Sequence, residues 1–200
     1  KVDLIFTALV SEDARIIEPK MAVQVPVIST AAAFRYEEDV PILIPGINDE
    51  HCEMLNIQKK NRNWNGFIAP LPNCTTTGMA ITLKPLMDDI GLESVFMTSM
   101  QALSGAGRSP GVIALDIMDN VIPYIPKEEE KVQVETKKIL GKFDGNSINN
   151  ASIKVSCTCT RVPVMDGHTE TVFAQLKKAA LPDQVRESML NFSKSVSIKD

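Results

Sequence analysis

The sequence predicts an α/β segment followed by an α+β segment. Short apolar runs alternate with helical patterns up to about residue 70. A long strand-like run, Ser94 to Ala102, then breaks the alternation, and two strand-like stretches, Ala151 to Arg161 and Val162 to Ala174, follow one another directly. Alternation of strands and helices implies a parallel sheet, and strands in succession imply an antiparallel or mixed one. The change falls near Cys74, which divides the chain into residues 1–73 and 74–200.

The first strand runs in from residue 2. Ser11 is placed to cap a helix reaching about Met21, with Glu12 and Asp13 in a first turn where the helix dipole favours acids. Val23 to Ile28 reads as a second strand and Pro41 to Ile44 as a third short apolar run. A polar helix is expected from Asn48 to about Asn61, then a strand over Gly66 to Ala69. Met79, Leu83, Leu86 and Ile90 lie 4, 3 and 4 apart, the spacing of one helical face, so a helix is expected from about Thr75 to Ile90. Further helices are expected over Glu128 to Leu140, which is highly charged, and Pro182 to Phe192. No internal repeat or low-complexity linker is visible.

Of the 200 residues, 44% are apolar and 23% charged, so the chain has the composition of a globular protein. The formal charge of −4 gives no electrostatic footprint for nucleic acid or for an anionic membrane. No apolar run approaches the roughly 20 residues of a membrane helix. The opening residues do not read as a signal peptide, since Asp3 interrupts a short apolar stretch. Four cysteines are too few for a disulfide scaffold, and a cytoplasmic protein with reduced thiols is the expectation. The earliest of the ten glycines is Gly46, so the glycine-rich turn that opens a dinucleotide-binding unit is missing between the first strand and helix. Either the segment is no such unit, or the sequence starts partway through one; the abrupt strand at residue 2 favours the latter.

The stretch Pro72-Asn73-Cys74-Thr75-Thr76-Thr77-Gly78 follows an apolar strand and leads into a helix. A thiol there meets unpaired backbone N–H groups and the positive end of the dipole, which lower its pKa from about 8.5 and supply donors for an oxyanion. Cys74 is thus a candidate nucleophile, with a small buried residue at a helix start as the structural alternative. Cys157 and Cys159 share one strand face and have no partner pair for zinc, so no metal site is expected and core packing is the reading. Cys52 has no assigned role. A thiol nucleophile needs a proton partner, and the histidines are His51 and His168. His51 sits in a polar helix start and reads as a surface residue. His168 follows an Asp166-Gly167 turn, a place where functional groups are commonly presented. Glu135 and Lys138, three apart, share a helical face, and a solvated charge pair is the plain alternative for them.

Pro-Asn-Cys-Thr-Thr at 72–76, Gln101 to Gly107, Glu135-Thr136-Lys137-Lys138 and Arg161 through His168 resemble the aspartate-semialdehyde dehydrogenases, most closely their archaeal and fungal branch. Ala33-Phe34-Arg35 followed by Asp39-Val40-Pro41 also fits, and the resemblance runs along essentially the whole chain. It implies part of a Rossmann-like parallel sheet followed by a catalytic and dimerisation domain with a mixed sheet. The implied reaction is the NADPH-dependent reductive dephosphorylation of aspartyl phosphate to aspartate semialdehyde and phosphate, in lysine, threonine and methionine biosynthesis. Carried over, Cys74 forms a thioester, His168 is the acid/base and Gln101 orients the acyl-enzyme. Arg161 would take the substrate carboxylate as a fork and Glu135 its ammonium. Arg35 and Lys138 would hold the phosphate, and Asn73 belongs to the same substrate-binding set. Ser104, Gly105, Ala106 and Gly107 would approach the nicotinamide half of NADP, with Thr7, Ala8 and Leu9 nearby. A homodimer or homotetramer is implied.

The chain departs from the family pattern in lacking the phosphate loop expected before residue 1 and a C-terminal segment, so a fragment is expected. Thr30 also stands where the branch often has Asn. The rival readings are an acetylglutamyl-phosphate reductase, whose cysteine usually sits in Pro-Gly-Cys, a malonyl-CoA reductase, which lacks the Glu-Thr-x-Lys pair, and an inactive dimerisation fragment. Arg161 and His168 are seven apart, which on one strand would put them on opposite faces. The Asp166-Gly167 turn has to break that alternation for both to reach one site.

Overall fold

A computed structural model describes residues 2–106 and 117–196. The chain divides into two units, one of residues 1–73 with 137–151, the other of residues 74–136 with 152–200.

The first unit is built on three parallel strands in the order β1 (Ile5–Thr7), β2 (Val27–Ser29), β3 (Ile68–Pro70). Helix α1 (Ser11–Ala22) joins β1 to β2, and its Ala14 and Ala22 pack with Val27, Phe34, Val40 and Ile68. Ser11 is the first helical residue and not the cap. The cap position is Val10, which has no side-chain cap, because the backbone at Ser11 has already turned helical.

The apolar run at 41–44 is not a strand. Ile42 and Ile44 are buried, and the Asn48 side chain does the work of a neighbouring strand: its Oδ1 accepts the Ile44 N–H at 2.9 Å and its Nδ2 donates to the Ile42 carbonyl at 2.8 Å. The expected polar helix is a 3₁₀ turn, Asp49–Glu53, running into α2 (Met54–Arg62). His51 is fully buried, contrary to the surface position read from its neighbours. Its Nδ1 lies 3.0 Å from Asn48 Nδ2 and its Nε2 3.2 Å from the Gly141 carbonyl, ninety residues away, so it helps tie residues 137–151 to the rest of the first unit. Buried Gln58 of α2 closes the free edge of β3, accepting the Ile68 N–H at 2.7 Å and donating to its carbonyl at 3.0 Å. A short hairpin, β5 (Lys142–Phe143) with β6 (Ile148–Asn149), completes the unit.

In the second unit β4 (Leu92–Gln101) is central, parallel to β7 (Lys154–Arg161) and antiparallel to β8 (Thr169–Leu176). This mixed sheet is the α+β half that the succession of strands predicts. Helix α3 (Cys74–Asp89) buries Met79, Leu83 and Leu86, as their spacing predicts, and meets the helix Pro182–Ser195, where Ser188 Oγ donates to Asp89 Oδ2 at 2.6 Å. The helix Glu128–Ile139 guards the open edge of β7: Glu129 Oε1 accepts the Cys159 N–H at 3.1 Å. Cys157 and Cys159 are buried beside it, and all four cysteines are free. Residues 162–168 form a loop and not the start of a strand, so strand alternation does not govern Arg161 and His168; Gly167 takes φ +85°, a conformation that glycine adopts at little cost. Among the described residues no helix is long and apolar enough to cross a membrane.

Candidate active site

Cys74 opens α3, so its thiol stands at the first turn of a 16-residue helix. Across from it, Arg161 ends β7 and His168 precedes β8, on the strands flanking β4. The sulfur lies 3.2 Å from His168 Nε2. The backbone of Ala102, just beyond the end of β4, holds both side chains. Its N–H donates to His168 Nδ1 at 3.1 Å and its carbonyl accepts Arg161 Nη1 at 2.7 Å. Arg161 is itself pinned by its backbone, which exchanges two hydrogen bonds with Ile122. The turn Leu103–Ala106 then folds over the pair. A Cβ at Gly105 would fall 2.6 Å from His168 Cε1 and 3.1 Å from Arg161 Nη1, so only glycine fits there.

Gln101 is buried at the end of β4, its Nε2 3.3 Å from Ser99 Oγ and 3.4 Å from Glu128 Oε1. Glu128 also pairs with Lys131 at 3.2 Å. This carboxylate is a site residue that the sequence reading missed. It is one of three consecutive glutamates in a first helical turn, and nothing in the sequence separates it from Glu129 and Glu130.

The electrostatics depart from the expectation for Cys74. The residue as a whole is exposed, yet desolvation of its sulfur by the protein around it and the Glu128 carboxylate push the thiol above the ordinary range, outweighing the Thr75 N–H that pulls it down. The helix start therefore acts in the predicted direction but does not win. His168 is held below its ordinary value by burial and the Arg161 cation, against an opposing pull from Glu128.

Glu135 is fully buried in the second unit, so it is no solvated surface charge. In the first unit, Arg35 and Lys138 are both buried, and Lys138 Nζ donates to the backbone carbonyls of Arg35 (2.8 Å) and Glu37 (2.9 Å), while Arg35 Nη2 donates to the Thr30 carbonyl at 3.1 Å. Asn73 is buried at the end of this unit's longest chain segment. Thr7 is the last residue of β1, and Ala8 and Leu9 follow it at the carboxyl end of the strand, the edge where parallel α/β sheets bind ligands. Ala8 is exposed, whereas the Thr7 hydroxyl is turned inward onto Glu18 Oε1 at 2.6 Å. Ser104 and Gly105 are exposed beside the thiol–imidazole pair, with Ala106 half-buried; Gly107 lies outside the described residues.

Two family models match: "Semialdehyde dehydrogenase, NAD binding domain" over residues 1–55 and "Semialdehyde dehydrogenase, dimerisation domain" over residues 83–200. The aspartate-semialdehyde dehydrogenase of Archaeoglobus fulgidus is 52% identical over 185 residues, 92% of this chain and 53% of that protein. The Saccharomyces cerevisiae enzyme of the same name is 37% identical, over 95% of this chain and 56% of its own. The crystal structure of the Candida albicans aspartate semialdehyde dehydrogenase with NADP superposes with a TM-score of 0.80 at 36% identity, covering 93% of this chain and 55% of that one. The Vibrio cholerae aspartate semialdehyde dehydrogenase II complexed with ASA gives 0.78 at 29%, covering 94% and 59%. The chain spans about half the length of the relatives it matches.

Proposed function

Since the chain belongs to the semialdehyde dehydrogenase family, we propose that its protein is an aspartate-semialdehyde dehydrogenase, converting L-aspartyl 4-phosphate to aspartate 4-semialdehyde and phosphate in the biosynthesis of lysine, threonine and methionine. The observation that carries this reading is the Cys74 sulfur 3.2 Å from His168 Nε2 at a helix start. Cys74 attacks the acyl carbon, the C–O bond to phosphate breaks, and a thioester remains on Sγ. Backbone N–H groups at the start of α3 and the His168 ring edge are the groups available to the carbonyl oxygen as it gains charge.

A nicotinamide cofactor fits the donor set. Gly105 presents bare backbone beside the thiol and imidazole, a flat approach where a side chain would collide with the ring. When bound, that cofactor supplies a hydride to the thioester carbon. Ser104, Gly105, Ala106 and Gly107 would hold its nicotinamide end, with Thr7, Ala8 and Leu9 contributing from the β1 edge. NADP is favoured over NAD by the NADP named with the Candida albicans structure.

Arg161 binds the substrate carboxylate with the guanidinium N–H groups that Ala102 does not use. Buried Glu135 takes the substrate ammonium, and Gln101 orients the acyl group. Arg35, Lys138 and Asn73 bind the phosphate end. The four free cysteines suit a reducing cytosol. Phe96 of β4 and Phe173 of β8, both exposed and paired across the strands, together with the matched dimerisation domain, support a homo-oligomer.

The test is an NADPH oxidation assay on the full-length protein with aspartyl phosphate, N-acetylglutamyl phosphate and malonyl-CoA side by side. Neither rival substrate carries the ammonium that Glu135 is proposed to take, and a site built around a polar substrate group rejects analogues lacking it by large factors. Turnover is expected with aspartyl phosphate and almost none with the others. Cys74→Ser should abolish turnover with folding retained, because a hydroxyl ionises far less readily than a thiol. Equal rates with a rival substrate, or near-normal turnover in the serine variant, would overturn the assignment.

A further inference from the structure

We infer that His168 is locked as the tautomer with its proton on Nε2 and serves Cys74 as a hydrogen-bond donor, so that the resting site is a neutral thiol–imidazole pair and not a thiolate–imidazolium pair. The tautomer follows from this chain's own geometry; only its place in turnover rests on the proposed reaction.

The constraint on the ring originates at Ala102. A backbone N–H only donates, and at 3.1 Å it points at His168 Nδ1, which must offer a lone pair. A neutral imidazole has one N–H, so that hydrogen is on Nε2, facing the sulfur at 3.2 Å. Forming the imidazolium would put a second hydrogen on Nδ1, N–H against N–H, unless the ring turned away or the peptide moved.

Both movements are opposed by the surrounding contacts. The peptide that carries this N–H joins Gln101 to Ala102, and its other side is anchored by the Val162 N–H, which donates to the Gln101 carbonyl at 3.0 Å; the next carbonyl, that of Ala102, is held by Arg161 Nη1 at 2.7 Å. The Gly105 backbone lies close against the ring edge, near enough that a Cβ built there would fall 2.6 Å from Cε1 and 2.9 Å from Nε2. The turn carrying Gly105 is fastened to the loop carrying His168, Leu103 N–H to the Val164 carbonyl at 2.8 Å and Ser104 N–H to the Met165 carbonyl at 3.0 Å.

The charges facing the ring come from three elements: Arg161 at the end of β7, Glu128 from its helix, and Cys74 from α3. The Leu103–Ala106 turn brings no titratable group. Burial and Arg161 disfavour the imidazolium more than Glu128 favours it, and burial and Glu128 disfavour the thiolate. These directions agree with the neutral pair. Cys74 therefore ionises by losing its S–H proton to a solvent or buffer base, the electron pair staying on sulfur. Nε2–H then steadies the thiolate and remains available as a proton donor to an oxygen at the acyl carbon.

The test is a long-range ¹H–¹⁵N correlation on full-length enzyme with ¹⁵N-labelled histidine, the His168 signals assigned by their loss in His168→Gln. Nδ1 is expected to resonate as an unprotonated nitrogen and Nε2 as a protonated one throughout pH 6 to 8. In parallel, alkylation of Cys74 by iodoacetamide should rise with pH in one step above about 8.5. A doubly protonated ring alongside a reactive thiolate at pH 6 to 7, or a hydrogen on Nδ1, would overturn the inference. The alkylation profile decides alone if the glutamine variant does not fold: a reactive plateau on the acid side refutes the neutral pair. Inertness toward aspartyl phosphate with the Nε2–H signature intact would instead sink the proposed reaction and leave the tautomer standing.

Discussion

At the scale of the residue, the site turns on groups with very different visibility. Cys74 and His168 are legible in the sequence because a thiol before an apolar helical stripe and a histidine after Asp-Gly are local patterns. The Ala102 backbone that orients His168 and Arg161 is invisible there, since any residue carries an N–H and a carbonyl. His51 misleads for a related reason: its neighbours are polar, but its partner Gly141 is remote in sequence. The same backbone makes Arg161 hard to replace. Lys keeps the charge, but its single ammonium cannot both hold the Ala102 carbonyl and present a planar fork to a carboxylate. Arg161→Lys is expected to lower kcat/KM by about 2–5 kcal/mol in steady-state assays of the full-length enzyme. Glu170, two residues beyond His168, has its carboxyl against Gly78 of α3, where a Cβ would lie 3.3 Å from Oε1, and burial pushes its pKa up to about 7. Unfolded, it titrates near 4.3. Between those values the folded state binds the extra proton, so its contribution to stability falls as pH rises from about 4.3 through about 7. Glu170→Gln removes that penalty. Its denaturation midpoint should exceed the parent's at pH 8, by on the order of 1 kcal/mol after allowing for partial solvation, and match it at pH 4.

At the scale of the element, helices with a clear apolar stripe are legible and irregular buried backbone is not. Helix α3 buries Met79, Leu83 and Leu86 where the 4, 3, 4 spacing puts them, and the alternation of β1, α1 and β2 follows from apolar runs separated by polar ones. The run at 41–44 looks like these strands, but its backbone groups find a side chain in place of a neighbouring strand. Hydrogen bonding of that kind leaves no periodic trace. It does give the element a single point of failure. Asn48→Ala strips partners from the Ile44 N–H, the Ile42 carbonyl and buried His51 at once. Each orphaned buried group costs about 1–3 kcal/mol, partly recovered by relaxation. A net loss of about 2–4 kcal/mol in urea unfolding is expected, with amide exchange at Ile44 accelerated well before that of β2. Asn48→Asp keeps the acceptor for Ile44 but not the donor, and should fall between the two.

At the scale of the whole molecule, the succession of elements reveals a parallel sheet followed by a mixed one, yet not that residues 137–151 return to the first unit, because the helix Glu128–Ile139 crosses from one unit to the other without a break in pattern. Nor does alternation within a strand reveal what covers a sheet. In the mixed sheet one side of β4 and β8 is packed, and the other presents Phe96 (58% exposed) directly opposite Phe173 (76% exposed), with Thr98 opposite Thr171 beside them. An aromatic cross-strand pair in the middle of an exposed face suits a second copy of the same sheet, in line with the dimerisation domain matched over residues 83–200. A two-fold interface uses each residue twice. Burying one phenylalanine is worth about 1.5–3 kcal/mol, so losing Phe173 from both copies removes on the order of 3–6 kcal/mol of association. That corresponds to a dissociation constant weaker by roughly two to four orders of magnitude, before the cost of burying the new charge. Phe173→Glu in the full-length protein should therefore run as a smaller species by sedimentation at micromolar concentration. Its unfolding midpoint, measured where the parent is also dissociated, should be unchanged, because the side chain is exposed in the isolated chain. A Phe173→Glu protein that keeps the parent's oligomeric mass would move the self-association surface away from this face of the sheet.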